Sequence, residues 1–173
     1  MWVFGYGSLM WEGWEKRFEG VVVGEATLYG YHRAFNKKST KNWGTKDKPG
    51  PTLGLEPDET GRCTGVVFEI PETRREEVLN YLAEREGKSV LLLELDVQLK
   101  DGTTIKAVIF VNDRTGPSYV GLLSIADRAQ MARSAVGRDG TCRDYVRNVR
   151  ARLQEFGIAD PHVEEFWRAV EDP

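Results

Sequence analysis

Histidine and cysteine are scarce in this 173-residue chain, with only His32 and His162, Cys63 and Cys142. Neither cysteine has a second ligand at metal-binding spacing, so no metal site is expected and both thiols read as buried. No stretch is long and apolar enough to span a membrane, because the run Val90–Leu93 ends at Glu94. A secretory leader is not expected either, since the opening apolar residues are cut short by Gly5, and the chain reads as cytoplasmic. There is no basic block and no aromatic–basic stripe. With interspersed signs and a net charge of −3, nucleic acid is a poor candidate partner. The early glycines Gly5 and Gly7 are not followed by Gly-Lys-Ser/Thr, nor by an amphipathic helix and spaced acid, so neither a P-loop nor a dinucleotide fingerprint is present. No cofactor is implied, and nothing in the chain fixes an oligomeric state.

What is there suits one domain over residues 1–173, with a real hydrophobic core. Val21–Tyr29 reads as a strand that Gly30–Phe35 continues or bends, and Asn36–Pro51 as a long polar loop of the kind that often carries function. Thr52–Glu56 and Cys63–Ile70 read as strands joined by a hairpin loop, Pro57-Asp58-Glu59-Thr60-Gly61. Glu72–Glu86 predicts a helix with Gly87 as its C-terminal stop. Ser89–Leu99 and Thr103–Asn112 predict a second hairpin turning on Asp101-Gly102. Asn112–Leu122 is another loop. Three helices follow, starting at Ser124, Thr141 and Asp160-Pro161, the last with proline at the tolerated first position. Strands first, one helix inserted and helices last give an α+β chain.

Two places stand out chemically. Trp2-Val3-Phe4 is a short strand broken by Gly5-Tyr6-Gly7-Ser8, where glycines let the backbone turn tightly and expose N–H groups to an anion. A plain turn between strands is the competing explanation. On the helix, Arg75, Leu79, Leu82 and Glu86 share one stripe. Glu76, Glu77 and Glu84 have ordinary solvent-facing positions, whereas Glu86 stands in line with two leucines at the last turn. A carboxyl group held there suits a base that must later act as an acid. It could equally fray out or pair with Arg75, Arg85 or Lys88.

The residues that carry a resemblance run in order along the chain. Met1-Trp2-Val3-Phe4-Gly5-Tyr6-Gly7-Ser8-Leu9 with Trp11 is similar to the opening of the γ-glutamylcyclotransferase superfamily, and closest to its ChaC-like branch. Tyr81-Leu82-Ala83-Glu84-Arg85-Glu86 resembles that branch's Tyr-Leu-x-x-Arg-Glu pattern. Weaker matches are Tyr31–Phe35 with Ser39, Trp43–Gly50, Gly65–Phe68, Tyr119-Val120-Gly121, and Gly137–Gly140 with Asp144-Tyr145-Val146. One departure is Gly87-Lys88-Ser89-Val90, which has no tyrosine where glutathione-specific members usually carry one.

The resemblance implies a small mixed β-barrel with helices packed outside. It implies release of 5-oxoproline from a γ-glutamyl peptide or amine, a glutathione-type substrate being favoured. Glu86 would be the single catalytic acid–base group, and Tyr6, Gly7, Ser8 and Leu9 would bind the substrate through backbone N–H groups. Arg33, Ser39 and Tyr119 are further candidate substrate contacts, with a structural salt bridge the alternative for Arg33 and loop packing for Tyr119. Two rival functions share the scaffold: removal of a γ-glutamyl protecting group in a biosynthetic pathway, and non-catalytic binding of γ-glutamyl metabolites.

Overall fold

The computed structural model describes residues 1–87 and 89–172. It forms two compact units, each assembled from separate stretches: Met1–His32 with Pro57–Val111, and Arg33–Glu56 with Asn112–Pro173. The chain therefore passes from one to the other three times.

The sheet is a closed barrel. In chain order its strands are β1 (Trp2–Gly5), β2 (Val21–Ser39), β3 (Gly50–Glu69), β4 (Val90–Leu99) and β5 (Thr104–Asn112), arranged β1-β3-β2-β4-β5. It is mixed. β1 runs antiparallel to β3 from Trp2 opposite Glu69 to Gly5 opposite Val66, and parallel to β5 at Val3 opposite Val108. β2 and β4 are antiparallel, with Ala26 opposite Leu99 and Leu28 opposite Val97. The expected α+β barrel is thus observed.

In the first unit, Val3, Phe4 and Gly5 are all buried, which explains why β1 reads as a continuous apolar run rather than an alternation. Val66, Val67, Phe68, Val97, Val108 and Ile109 are buried with them. The β4–β5 hairpin turns where predicted: Gly102 takes φ 89°, and Leu99 N donates to Thr103 O at 2.8 Å. A 3-10 turn, Glu72–Arg74, leads into α1 (Arg75–Glu86), and Gly87 at φ 77° ends it. Val78 and Leu82 are its buried residues. Glu76, Glu77 and Glu84 are exposed, as their positions suggested.

Two expectations are corrected. No hairpin divides Thr52–Glu56 from Cys63–Ile70, because β3 is one strand from Gly50 to Glu69. The residues that imitate a turn serve the strand instead. Asp58 accepts from Thr60 N at 2.9 Å and Thr60 Oγ1 at 3.0 Å, and it meets His32 Nδ1 at 3.2 Å. Gly61 keeps an ordinary φ; a Cβ there would come within 2.8 Å of the Tyr31 backbone, so close strand approach is what demands glycine. The polar segment Asn36–Pro51 is also shorter as a loop than expected, since β2 extends to Ser39 and β3 begins at Gly50.

The second unit holds the far halves of β2 and β3 and the helices α2 (Ile125–Ser134), α3 (Cys142–Glu155) and α4 (Pro161–Glu171). A two-residue pair, β6 (Val136–Gly137) with β7 (Gly140–Thr141), connects α2 to α3. Each helix starts on a side-chain cap: Ser124 Oγ accepts from Asp127 N, Thr141 Oγ1 from Asp144 N, and Asp160 from His162 N and Val163 N. The three helices pack on one another and bury Ala129, Ala132, Val146, Leu153, Val163 and Val170. Phe35 stacks on Phe166 with ring centroids 4.5 Å apart, fastening strand to helix. Among the described residues no helix is long and apolar enough to cross a membrane.

Candidate active site

In the first unit, β1 delivers the chain into Tyr6-Gly7 and then a short 3-10 helix, Ser8–Met10. Gly5 is closely packed, since a Cβ there would stand 3.2 Å from both Leu9 Cβ and Phe68 Cε2 and those neighbours would have to give by a few tenths of an ångström. Met10 N donates to Gly7 O at 2.9 Å, which closes the turn. The N–H groups of Ser8 and Leu9, at the first positions of that turn, have no acceptor within the helix, as helix geometry dictates. Three contacts fix the turn: the Tyr6 hydroxyl donates to Phe110 O at 2.8 Å, Trp14 Nε1 donates to Leu9 O at 3.1 Å, and the Leu9 and Met10 side chains are buried.

The same unit carries Glu86 on the last turn of α1, with its side chain 23% exposed. The link between helix and turn is Arg85. Its Nη2 donates to Ser8 Oγ at 2.6 Å, its Nη1 is bonded to Glu12 Oε2, and its Nε lies 3.5 Å from Glu86 Oε1. The Tyr81 ring packs on Phe18 at 5.2 Å with the Arg17 guanidinium above it. Burial alone would lower the pKa of Arg85, but the hydrogen bond and charge of Glu12, with Tyr81 and Glu86 behind them, raise it. The Tyr6–Leu9 turn and Glu86 are therefore connected through one cation. Lys88, another proposed partner for Glu86, lies outside the described residues.

The other three candidates belong to the second unit. Arg33 is fully buried and ion-paired with Asp160 at 2.9 Å, the structural salt bridge that was its alternative role. That pairing accounts for its charge within the second unit. Ser39 Oγ accepts from Trp43 N at 3.0 Å at the mouth of the 40–49 loop, which Gly44 keeps tight because a Cβ there would meet Gly50 N at 2.4 Å. Tyr119 donates its hydroxyl to Glu56 Oε1 at 2.7 Å, beside Arg114, whose Nε is 3.0 Å from the same oxygen. Asn36 Nδ2 donates to the other Glu56 oxygen at 2.8 Å. Burial first, and then the bond to Glu56, push the Tyr119 pKa up against the opposing pull of Arg114. Gly121 makes room for this ring, since a Cβ there would stand 2.2 Å from the Tyr119 hydroxyl oxygen. The Tyr-Val-Gly triplet thus has a steric reason.

Sequence reasoning missed Glu12 and undervalued Arg85. Arg85 stands inside the Tyr-Leu-x-x-Arg-Glu pattern and could have been found there. Glu12 carries no local signal, because only the fold brings it to Arg85, 73 positions away.

The barrel defines a class of protein. A crystal structure of a γ-glutamyl cyclotransferase specific to glutathione from yeast superposes with a TM-score of 0.83 over 99% of this chain and 95% of its own, at 21% identity, which is a likeness of fold. A family model described as ChaC-like protein matches residues 1–173, and the chain belongs to that family. It is 33% identical over 172 residues to the glutathione-specific γ-glutamylcyclotransferase of Escherichia coli (strain K12), covering 98% of this chain and 72% of that one. It is 30% identical over 181 residues to γ-glutamylcyclotransferase 2-3 of Arabidopsis thaliana, covering 98% and 88%.

Proposed function

We propose that the protein is a γ-glutamylcyclotransferase acting on glutathione or a close γ-glutamyl peptide, in the cytoplasm, with residues 1–173 serving as one catalytic domain and Glu86 as its acid–base group. The observation that carries this reading is the Ser8–Arg85–Glu86 connection, which ties the only half-buried acid of α1 to the glycine turn through a 2.6 Å hydrogen bond. The family and the named relatives support the reaction class.

Glu86 takes a proton from the substrate's α-ammonium. The freed amine nitrogen attacks the γ-carbonyl carbon of the same glutamyl residue and closes a five-membered ring. As the ring closes the attacking nitrogen sheds its second proton, and the bond from that carbon to the departing nitrogen breaks. Both protons pass by way of Glu86 to the leaving amine, which departs as its ammonium form while the ring nitrogen keeps one hydrogen. The products are 5-oxoproline and the shortened peptide or amine. Nucleophile and electrophile share one molecule, so the enzyme's work is to fold the substrate into attack geometry and stabilise the oxyanion. The N–H groups of the Tyr6–Leu9 turn serve that second purpose, with Ser39 and Tyr119 kept as substrate contacts.

The test is 5-oxoproline release from a panel of γ-glutamyl compounds, glutathione included, with Glu86→Gln in parallel. Release by the native protein and none by the variant is expected. Activity that survives in Glu86→Gln would sink the site assignment. Binding of γ-glutamyl compounds without turnover by the native protein would sink the enzyme.

A further inference from the structure

Arg128, in the second unit, is a cation placed where its surroundings oppose it. It stands four residues past the Ser124 cap of α2, towards the positive end of the helix dipole, where a cation is disfavoured. It is half-buried, and its Nε is fully enclosed without a hydrogen bond, which is costly. Burial pulls its pKa below the ordinary arginine value, against the opposing charges of Glu56, Tyr119 and Glu165. Among the described residues no carboxylate is in ion-pair range of it. Glu56 is committed elsewhere, its Oε1 to Tyr119 and Arg114 and its Oε2 to Asn36. Asp127 is turned into the cap, accepting from Ser124 Oγ at 2.7 Å.

The guanidinium is nevertheless fixed in place. Its Nη1 donates to Phe35 O at 3.1 Å, and its central carbon lies 6.0 Å from the centroid of the Phe166 ring, itself stacked on Phe35. One Nη1 hydrogen is left over, and Nη2 makes no hydrogen bond but, unlike Nε, is not sealed from solvent. The Nη1–Nη2 edge therefore offers two parallel N–H donors, the fork that a carboxylate accepts with both oxygens. An immobilised, partly desolvated and unneutralised guanidinium has little left to lose on binding an anion. Packing of strand against helix needs no charge, so the charge itself calls for a ligand.

We propose that Arg128 is a specificity-determining residue that pairs with the terminal carboxylate of a γ-glutamyl peptide, selecting substrates that carry this acid over γ-glutamyl amines and amides that lack it. The identity of the ligand rests on the cyclotransferase reading above. The role concerns the departing part of the substrate and is independent of which group moves the protons.

Steady-state 5-oxoproline release is measured with glutathione and with glutathione amide, in which the terminal carboxylate is a neutral carboxamide, for the native protein, Arg128→Gln and Arg128→Lys. The native protein prefers glutathione by about tenfold or more in kcat/KM, and the preference lies in KM. In Arg128→Gln the ratio between the two compounds shrinks to within about twofold. Arg128→Lys, which keeps the charge but not the fork, retains part of it. Because each ratio is taken within one preparation, any loss of folded protein cancels from it. A native protein with no preference for the acid would overturn the role, as would an Arg128→Gln protein that keeps the native ratio. If the native protein releases 5-oxoproline from neither compound, the cyclotransferase reading fails, and calorimetric titration of both proteins with the two compounds decides this role instead. Tighter binding of glutathione than of its amide that vanishes in Arg128→Gln upholds it, and any other result overturns it.

Discussion

Arg33 Nη1 stands 2.9 Å from Asp160 Oδ2, with side-chain exposures of 0% and 6%. The other oxygen of Asp160 accepts from His162 N and Val163 N at 3.1 Å each, so a single carboxylate neutralises a buried cation and caps α4. Replacing Arg33 by methionine strands a buried charge, a change that costs about 3–5 kcal/mol. For a chain of this size that corresponds to a melting temperature lower by roughly 6–20 °C. Differential scanning calorimetry reads the shift. Asp160→Asn, which keeps the cap while losing the charge, should lower the melting temperature less than Asp160→Ala. A variant of Arg33 that melts normally but has a raised KM would return that residue to the substrate site.

Cys142 is fully buried, and its Sγ donates to Pro51 O at 3.3 Å. Burial pushes its thiol pKa up from 9.0 to about 12. Because the folded value is the higher one, the thiol's contribution to stability is complete below pH 9 and is lost as pH rises from 9 towards 12. Cys142→Ala should therefore flatten the alkaline fall in urea stability above pH 9. Ellman's reagent at pH 8 should find neither Cys142 nor the equally buried Cys63 in the native protein and both after unfolding. Rapid native labelling of Cys142 would contradict the burial.

Local chemistry made much of this fold legible. Ser124, Thr141 and Asp160 were readable as caps because a cap depends on a residue and its next three neighbours, and Gly102 and Gly87 were readable because positive φ selects glycine. Pro57–Gly61 was misread for the complementary reason. Its turn-forming residues satisfy one another within a strand, and only the distant chain around Tyr31 shows why Gly61 is needed. Glu86 could be singled out by its leucine neighbours and by the resemblance. Glu12 could not, since its bond to Arg85 exists only when the turn after β1 and the end of α1 meet.

Gly65 shows how tightly the glycine turn is tied to the barrel. A Cβ at this position would lie 2.3 Å from Gly5 O and 2.6 Å from Phe4 Cζ, and the first of these is backbone that cannot swing aside. Gly65→Ala must separate β3 from β1 next to the Tyr6–Leu9 turn. Overpacking of this sort costs about 1–3 kcal/mol, visible as a lower urea midpoint. The displaced backbone belongs to the residue just before the turn, so kcat/KM should fall further than the fraction unfolded explains. Parallel losses in the two measurements would show that the turn is indifferent to its support.

Tyr119 offers the sharpest separation of packing from substrate contact. Its hydroxyl bond to Glu56 is replaceable, because Glu56 also holds Arg114 at 3.0 Å and Asn36 at 2.8 Å. Tyr119→Phe keeps the ring that fits over Gly121 and removes one hydrogen bond, worth about 0.5–1.5 kcal/mol of stability. If the hydroxyl and its Glu56 partner serve substrate, the phenylalanine variant should melt within a few degrees of the native protein and show a KM raised about tenfold with kcat little changed, the pattern of lost uniform binding. If Tyr119 is loop packing, KM should stay put and only the melting temperature should move. Steady-state kinetics and a thermal melt on the same preparation decide between the two.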